Sequence, residues 1–450
     1  MEKFIRNNCQ LPVQSNLFPK VVLTNNLKQF TWSSIPGYIA LGSLENAKLT
    51  YVKIDGSSIL GNTTHWLNNP EIPFTAKEDG SIVFEIAFPT EGEYSLEFST
   101  QDTVAATAQI FVLEEDLYDT VPLKGDFHTH TSLSDGKESP EFVVMQSLKR
   151  GMDFVAITDH HVFCPPQMAL ELQNQSQNSI LVLSGEEIHL PVSQQDDNNS
   201  TFPWFQTPWV KGKTPVHLIH CGGNNSINEL ADNNLAKYYD EVTQISEKLP
   251  GSINDLDKWN IASSYWAFEK IKAAGGLAIF PHPYWMVKNR TAISDTVREY
   301  LFNCPNLDGV ETVNAFFGVE SVLNTCDYHQ HNLAPVSGSD CHNFGDEEKI
   351  LPFTIVFAKE RSIKSVIKAV EEKNCCTVTK LKGESTPIVT GNLRLLRYTL
   401  FLVKNYLPKH DEYCRLLGLY HPINSMQVNS NLISDIKFAF QQYNNLFFGK

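Results

Sequence analysis

The chain has 450 residues, a hydrophobic fraction of 42%, a charged fraction of 19% and a formal net charge of −15. That length allows two or three domains, and the composition is ordinary for a globular protein. The acidic balance, with no Lys/Arg run to reverse it locally, argues against nucleic-acid polymers and anionic membranes as partners.

Residues 1–20 are polar, are broken by Pro12 and Pro19, and lack the apolar core of a signal peptide. The most apolar late stretch, 393–407, carries Arg394, Arg397 and Lys404 and is too short and too charged to span a bilayer. The nine cysteines are scattered, with no spacing that suggests a disulfide framework or a thiolate zinc cage. The expected setting is therefore cytoplasmic and reducing. Residues 1–119 read as all-β, with short alternating runs at 49–54, 82–88, 94–98 and 108–113. Asp55-Gly56, Asp79-Gly80 and Glu91-Gly92 mark turns between them. This pattern predicts a β-sandwich, with Tyr94 in a tyrosine corner and His65 at the surface. Such an accessory domain packs on a catalytic one, or binds a partner or a sugar.

From about residue 121 to 379, strands alternate with helices. Strands are predicted at 123–130, 154–158, 180–184, 216–220, 277–281, 309–313, 334–337 and 353–357, and Cys375-Cys376 also read as strand residues. Helices are predicted at 140–150, 234–248, 263–274, 321–329 and 362–373. This alternation predicts parallel strands with crossover helices, and eight strands suffice to close a barrel. Two insertions interrupt it: polar 194–200, and aromatic, proline-rich 202–209, read either as a loop burying its own aromatics or as a lid. The tail from about 391 is helical, with Leu393, Leu396, Leu400 and Val403 recurring at helical spacing, and a second helix at 429–448. The predicted organisation is 1–119, an accessory β-domain; 120–384, a catalytic α/β domain; and 385–450, a helical extension.

The chemistry concentrates at strand ends. His128 and His130 alternate on one face of the opening strand, a half-site for a metal, and Asp135-Gly136 follow in a turn. Asp159-His160-His161 ends the next strand, Gly185-Glu186-Glu187 the one after, and His217 and His220 lie on a fourth. Pro281-His282-Pro283 and Gly338-Ser339-Asp340-Cys341-His342 end two more. In parallel α/β folds these ends line the active site. Six strands ending in metal-binding side chains point to a metal site. Imidazole and carboxylate donors without thiolate suit zinc, manganese or iron, and Cys341 should face away from its neighbours.

This ordered set resembles the PHP (polymerase and histidinol phosphatase) superfamily over about residues 121–379. The resemblance implies a distorted seven-stranded TIM-like (β/α)7 barrel and two or three divalent ions. It implies a first ion on His128, His130, Glu187 and Asp340, a second on Glu187, His217 and His282, and a third on Asp135, His160 and His342. His220 is the alternative to His217, and Glu186 the alternative to Glu187. The implied activity is hydrolysis of a small phosphomonoester or phosphodiester by a metal-activated hydroxide. In that reading Glu187 and Asp340 are catalytic through the metals, and His161 either protonates the leaving group or is a solvated neighbour. Trp285, Lys288 and Arg290 are candidate substrate contacts, and Glu311 and Asn314 candidate ligand-orienting groups. His189 shares a face with Glu187; the alternatives are an accessory group and a residue outside the site, and the second is favoured. The expected partner is a small phosphorylated substrate, with nucleic acid only as nucleotide and no membrane. The competing readings are a metal-dependent hydrolase of a non-phosphate bond, and a metal-stabilised, non-catalytic scaffold.

Overall fold

The structure is a computed structural model. It describes residues 16–33, 41, 45–54, 69–100, 103–193, 212–287, 290–315, 318–346, 349–420 and 430–450. Two units result: Met1–Thr120 with Leu400–Tyr406 and Ser434–Lys450, and Val121–Thr399 with Leu407–Ile433. His65, Lys288 and both insertions, 194–200 and 202–209, lie outside the described residues.

Among the described residues, the first unit has eight strands: β1 Asn16–Phe18, β2 Val21–Leu23, β3 Lys28–Ser33, β4 Ala47–Ile54, β5 Phe74–Ala76, β6 Ile82–Ile86, β7 Gly92–Thr100 and β8 Thr103–Leu113. They form two four-stranded sheets, β1-β3-β6-β5 and β2-β8-β7-β4. Strand alternation explains the arrangement: Tyr94, Leu96 and Phe98 of β7 point inward and the residues between them face out. Both sheets feed one core, with Phe30, Trp32 and Phe84 from one and Leu49, Phe98 and Ile110 from the other. Tyr94 donates its hydroxyl to the carbonyl of Thr90 at 2.9 Å, closing the expected corner. The short β1, β2, β3 and β5 were not evident from periodicity, because runs of three to six residues show too little alternation.

The second unit mixes strands and helices. In order they are β9 Val121–Asp126, α1 Pro140–Lys149, β10 Phe154–Ala156, α2 Pro166–Gln175, β11 Leu181–Leu183, β12 Gly185–Ile188, β13 Leu218–Cys221, α3 Ile227–Asp232, α4 Leu235–Ser246 and α5 Asp255–Ala273. There follow β14 Leu277–Phe280, the hairpin β15 Met286–Val287 and β16 Arg290–Thr291, α6 Asp295–Phe302, β17 Gly309–Asn314, α7 Val319–Tyr328, β18 Ala334–Gly338, β19 Phe353–Ala358, α8 Ile363–Glu371, β20 Cys375–Thr379 and β21 Ile388–Thr390. The last helices of the chain are α9 Leu393–Asn405, α10 Leu407–Leu419 and α11 Ser430–Phe448. Side-chain caps start the helices: Ser139 accepts from Phe142 N before Pro140, Asn254 from Asp257 N, and Ser294 from Val297 N.

The expectation of one closed, parallel barrel does not match the described strands. They hydrogen-bond as two sheets, β11-β10-β9-β19-β20-β21 and β12-β13-β14-β17-β18. Pairs β9/β10, β10/β11, β14/β17 and β17/β18 are parallel, whereas β12/β13, β13/β14, β9/β19 and β19/β20 are antiparallel. The periodicity of a strand fixes its two faces but not its direction, so alternation alone could not separate these cases. The sheets share an apolar core of Phe127, Phe154, Leu183, Ile219, Ile279, Val336 and Val356. A second core packs helices α3–α6 against β13 and β14 through Tyr238, Trp259, Trp266 and Phe268.

Helix α10 reaches the segment just before β10 through a buried polar contact. His410 places Nε2 3.1 Å from Asp153 Oδ2 and Nδ1 3.0 Å from Asp411 Oδ1. Both ring nitrogens face carboxylate oxygens, an arrangement that suits donation from both. Burial opposes the charged Asp153 carboxylate, but His410 outweighs it and holds the group below its usual pKa. Replacing His410 with Leu strands that buried carboxylate and is expected to cost about 3–5 kcal/mol in chemical denaturation. Because the folded Asp153 pKa is depressed, its contribution is present above the unfolded value of about 4 and fades as pH falls below it.

Candidate metal centre

Strand ends and the loops after them bring the candidate side chains together. His128 and His130 follow β9, and their Nε2 atoms lie 3.0 Å apart. Both face Glu187 Oε2 at 3.4 Å, and His130 Nε2 is 3.1 Å from Asp340 Oδ1. Glu187, on β12, sits at the middle. Its Oε2 lies 2.7 Å from His160 Nδ1, and its Oε1 lies 2.8 Å from His217 Nδ1 and 3.3 Å from His282 Nε2. Toward solvent, Asp135 Oδ1 is 3.1 Å from His342 Nε2, and Asp135 Oδ2 is 3.7 Å from His160 Nε2. His128, His130 and Glu187 are fully buried, while the side chains of Asp135 and His342 are 40% and 37% exposed, so the cluster opens on that side.

Among the described residues, five overlapping groups could hold an ion: His130, Asp135, His160 and His342; His128, His130 and Glu187; His128, His282 and Asp340; His160, Glu187 and His189; and Glu187, His217 and His282. All nine candidate ligands fall in them. The open choices divide cleanly. Glu186 points to the opposite face of β12, where its carboxylate accepts from Ser226 Oγ, Ile227 N and Asn228 Nδ2 at the start of α3. His220 is its cross-strand partner and stacks on Phe163 with ring centroids 5.7 Å apart. Glu187 and His217 therefore face the cluster and Glu186 and His220 do not.

The surroundings fit cations. His130 Nδ1 and Glu187 Oε2 are buried without a hydrogen bond, the condition of donors that serve an ion. Burial pushes the Glu187 carboxyl up, but His160, His217 and His128 outweigh it and hold it well below the usual range. Asp340 is held down by His128 and His130 in the same way, against its burial. Burial, aided by His160 and His128, lowers His130 to about 3 and keeps it neutral, the form that coordinates metals. Backbone strain gathers here too: His282 has φ 29°, Asp340 48° and His161 57°. A non-glycine residue in that region costs of order 1–3 kcal/mol and is held by its surroundings.

Outer groups set ring orientations. Glu311, on β17, takes His128 Nδ1 at 2.8 Å, the backbone N–H of His282 at 3.0 Å and Asn314 Nδ2 at 2.8 Å. Gly338 leaves it room, since a Cβ there would overlap both Glu311 and His128. Asp126 accepts from His128 N and Ser339 N, tying the two strand ends, and burial raises it to about 6. Asp159 accepts from Thr131 and Ser134 and shapes the loop that carries Asp135. The roles of Asp126 and Asp159 were missed. Their signal was position: Asp126 lies two before His128, and Asp159 directly precedes His160. Cys341 is buried, with Lys349 Nζ 3.8 Å from its sulfur.

The remaining candidates lie at or beyond the rim. His161 donates to Asp232 at 2.7 Å, and Lys213 holds Asp232 at 2.8 Å. The Trp285 ring lies 5.0 Å from that of His217. Arg290 is exposed on the β15–β16 hairpin.

Residues 126–274 match the model of the PHP domain. Over those residues the chain is similar to a PHP domain. The match ends before His282, Asp340 and His342, which complete the cluster. No curated protein matches the chain. Among solved structures, the chain is similar to a two-domain protein from Bacteroides vulgatus named as containing "predicted PHP-like metal-dependent phosphoesterase", with 18% identity, 58% of this chain and 65% of that one covered, and TM-score 0.38. The chain thus spans 65% of the length of that relative. It is also similar to an amidohydrolase from Chromobacterium violaceum, with 19% identity, 50% and 89% coverage, and TM-score 0.33.

Glu311→Gln keeps the size of the acceptor but removes the charge that His128 and His282 share. Titration calorimetry with Mn or Zn should show divalent-ion affinity reduced about 10–100-fold, with the fold intact by circular dichroism.

Proposed function

We propose that the protein is a metal-dependent phosphoesterase acting on a small phosphomonoester or phosphodiester. The supporting observation is the cluster of nine candidate ligands, closed at Glu187 and open at Asp135 and His342. In this reading the two sheets, bridged at Thr129–Cys341 and His160–Glu187, serve as a distorted (β/α)7 barrel. The domains run 1–119, 120–384 and 385–450.

His128, His130, Glu187 and Asp340 would hold one ion, Glu187, His217 and His282 a second, and Asp135, His160 and His342 a third, with zinc, manganese or iron suited to these donors. Bound there, such ions supply a water acidified toward neutrality and charge to match the phosphoryl oxygens. The protein's own part is to keep the donors ionised or neutral as required. Glu187 stays anionic at the centre, and buried His130 stays neutral. His161 donates a proton to the leaving group; Asp232 fixes its ring through Nε2, leaving Nδ1 for the transfer. Trp285 flanks His217 and offers a flat surface to an organic substituent, and Arg290, with Lys288, a charge to a second phosphate. The accessory β-domain binds a partner or a sugar.

A cytoplasmic setting is part of the proposal. Every described cysteine is a free thiol and all but Cys326 are buried. Among the described residues no helix is long and apolar enough to cross a membrane.

A panel of small phosphoesters, assayed after reconstitution with Zn, Mn or Fe, tests the reaction class. Turnover is expected, and Glu187→Gln should reduce it by more than about 100-fold, beyond the loss of an outer contact. Bound metal with no turnover on any substrate would favour a scaffold.

Substrate size provides a separate test. The protein's net charge of −15 repels long polyanions, whereas a small phosphoester meets mainly the local field of the centre. At matched metal and moderate salt, small phosphoesters should be hydrolysed and long single-stranded DNA left largely intact. The opposite pattern would identify a nuclease.

A further inference from the structure

Resting on that metal-centre reading, we infer that His189 is a positioning residue for the outermost ion, acting through His160. His189 closes β12 by following Ile188, two residues after Glu187, and so turns to the same face. It is fully buried, and its backbone N–H donates to Asn228 Oδ1 at 3.0 Å. Its Nε2 lies 2.8 Å from His160 Nδ1, and its ring meets that of His217 edge-on with centroids 4.3 Å apart. It therefore touches one candidate ligand of the outermost ion and one of the second.

The inference follows from where protons must sit. His160 Nε2 is the nitrogen that faces Asp135, 3.7 Å away. For that nitrogen to coordinate, His160 must carry its hydrogen on Nδ1. Glu187 Oε2 at 2.7 Å and His189 Nε2 at 2.8 Å both lie near Nδ1, but only His189 is placed to hydrogen-bond with it. Glu187 Oε2 also faces His128 and His130, where an ion would claim its lone pairs. A ligating histidine ordinarily hands its second N–H to a carboxylate or carbonyl. Here the nearby carboxylate is itself a ligand, so a neutral imidazole takes the hydrogen. His189 keeps the His160 ring turned outward and leaves Glu187 to the ions.

Metal content measured by elemental analysis after dialysis, and the visible spectrum of the Co-substituted protein, test this directly. His189→Phe keeps a ring against His217 but removes the acceptor. It should lower bound Co by the same amount as His160→Asn, and change the spectrum in the same way. His189→Gln restores an acceptor and should recover most of the lost metal, which guards against a variant that merely misfolds. The double variant should lose no more than either single one, since both act on one ion. If His160→Asn itself leaves metal content unchanged, the metal-centre reading fails. If His160→Asn loses metal and His189→Phe does not, only the role of His189 is overturned. A double variant that loses more metal than His160→Asn alone would also overturn it, because His189 would then be holding an ion independently.

Discussion

A carboxylate with no access to water is the constraint from which the second unit can be understood. Glu187 is fully buried and has the nitrogens of His128, His130, His160, His217 and His282 within 3.4 Å. An isolated charge at such a position would be prohibitively costly, so it exists only with partners that compensate it. These partners arrive from four separate strand ends or loops, His128 and His130 sharing the one after β9. The architecture is thus a way of delivering imidazoles to one carboxylate, and the strained backbone at His282 and Asp340 is part of that delivery.

The same strand shows how scaffold and site are separated. Glu186 and Glu187 are neighbours in sequence with opposite duties. One satisfies the donors at the start of α3, and the other faces the imidazoles. Because successive side chains on a strand alternate, neither can exchange its duty for the other without a one-residue slip of β12. Such a slip would break the pairing of Gly185 to Ile188 with β13.

Much of the centre was legible because metal-binding side chains recur after apolar runs, and the order of those runs was specific. The choice between Glu186 and Glu187, and between His217 and His220, was not. Pairing sets Glu186 opposite His220 and Glu187 opposite Ile219. Glu187 with His217, and Glu186 with His220, are each consistent with strand periodicity, and only the side-chain contacts of the folded chain say which pair faces the cluster. The β-rich leader and the helical tail were readable from periodicity. Strand direction was not, because β19 and β20 run antiparallel although α8 lies between them. Helix α2 escaped notice for another reason: only Ala169 and Leu172 of its ten residues are buried, so it has almost no apolar stripe.

The candidate ligands stretch from His128 to His342, and no short segment contains a complete set. A zinc finger can gather its ligands within a few turns of chain, but this centre exists only when the strands on both sheets are in place. Unfolded chains would hold ions poorly, so nearly all the binding free energy accrues to the native state, growing as RT ln(1 + [ion]/Kd). The supply of divalent ion in the surroundings would then set how often the chain opens to a protease. Cellular abundance of the protein would follow metal nutrition, even with transcription held constant.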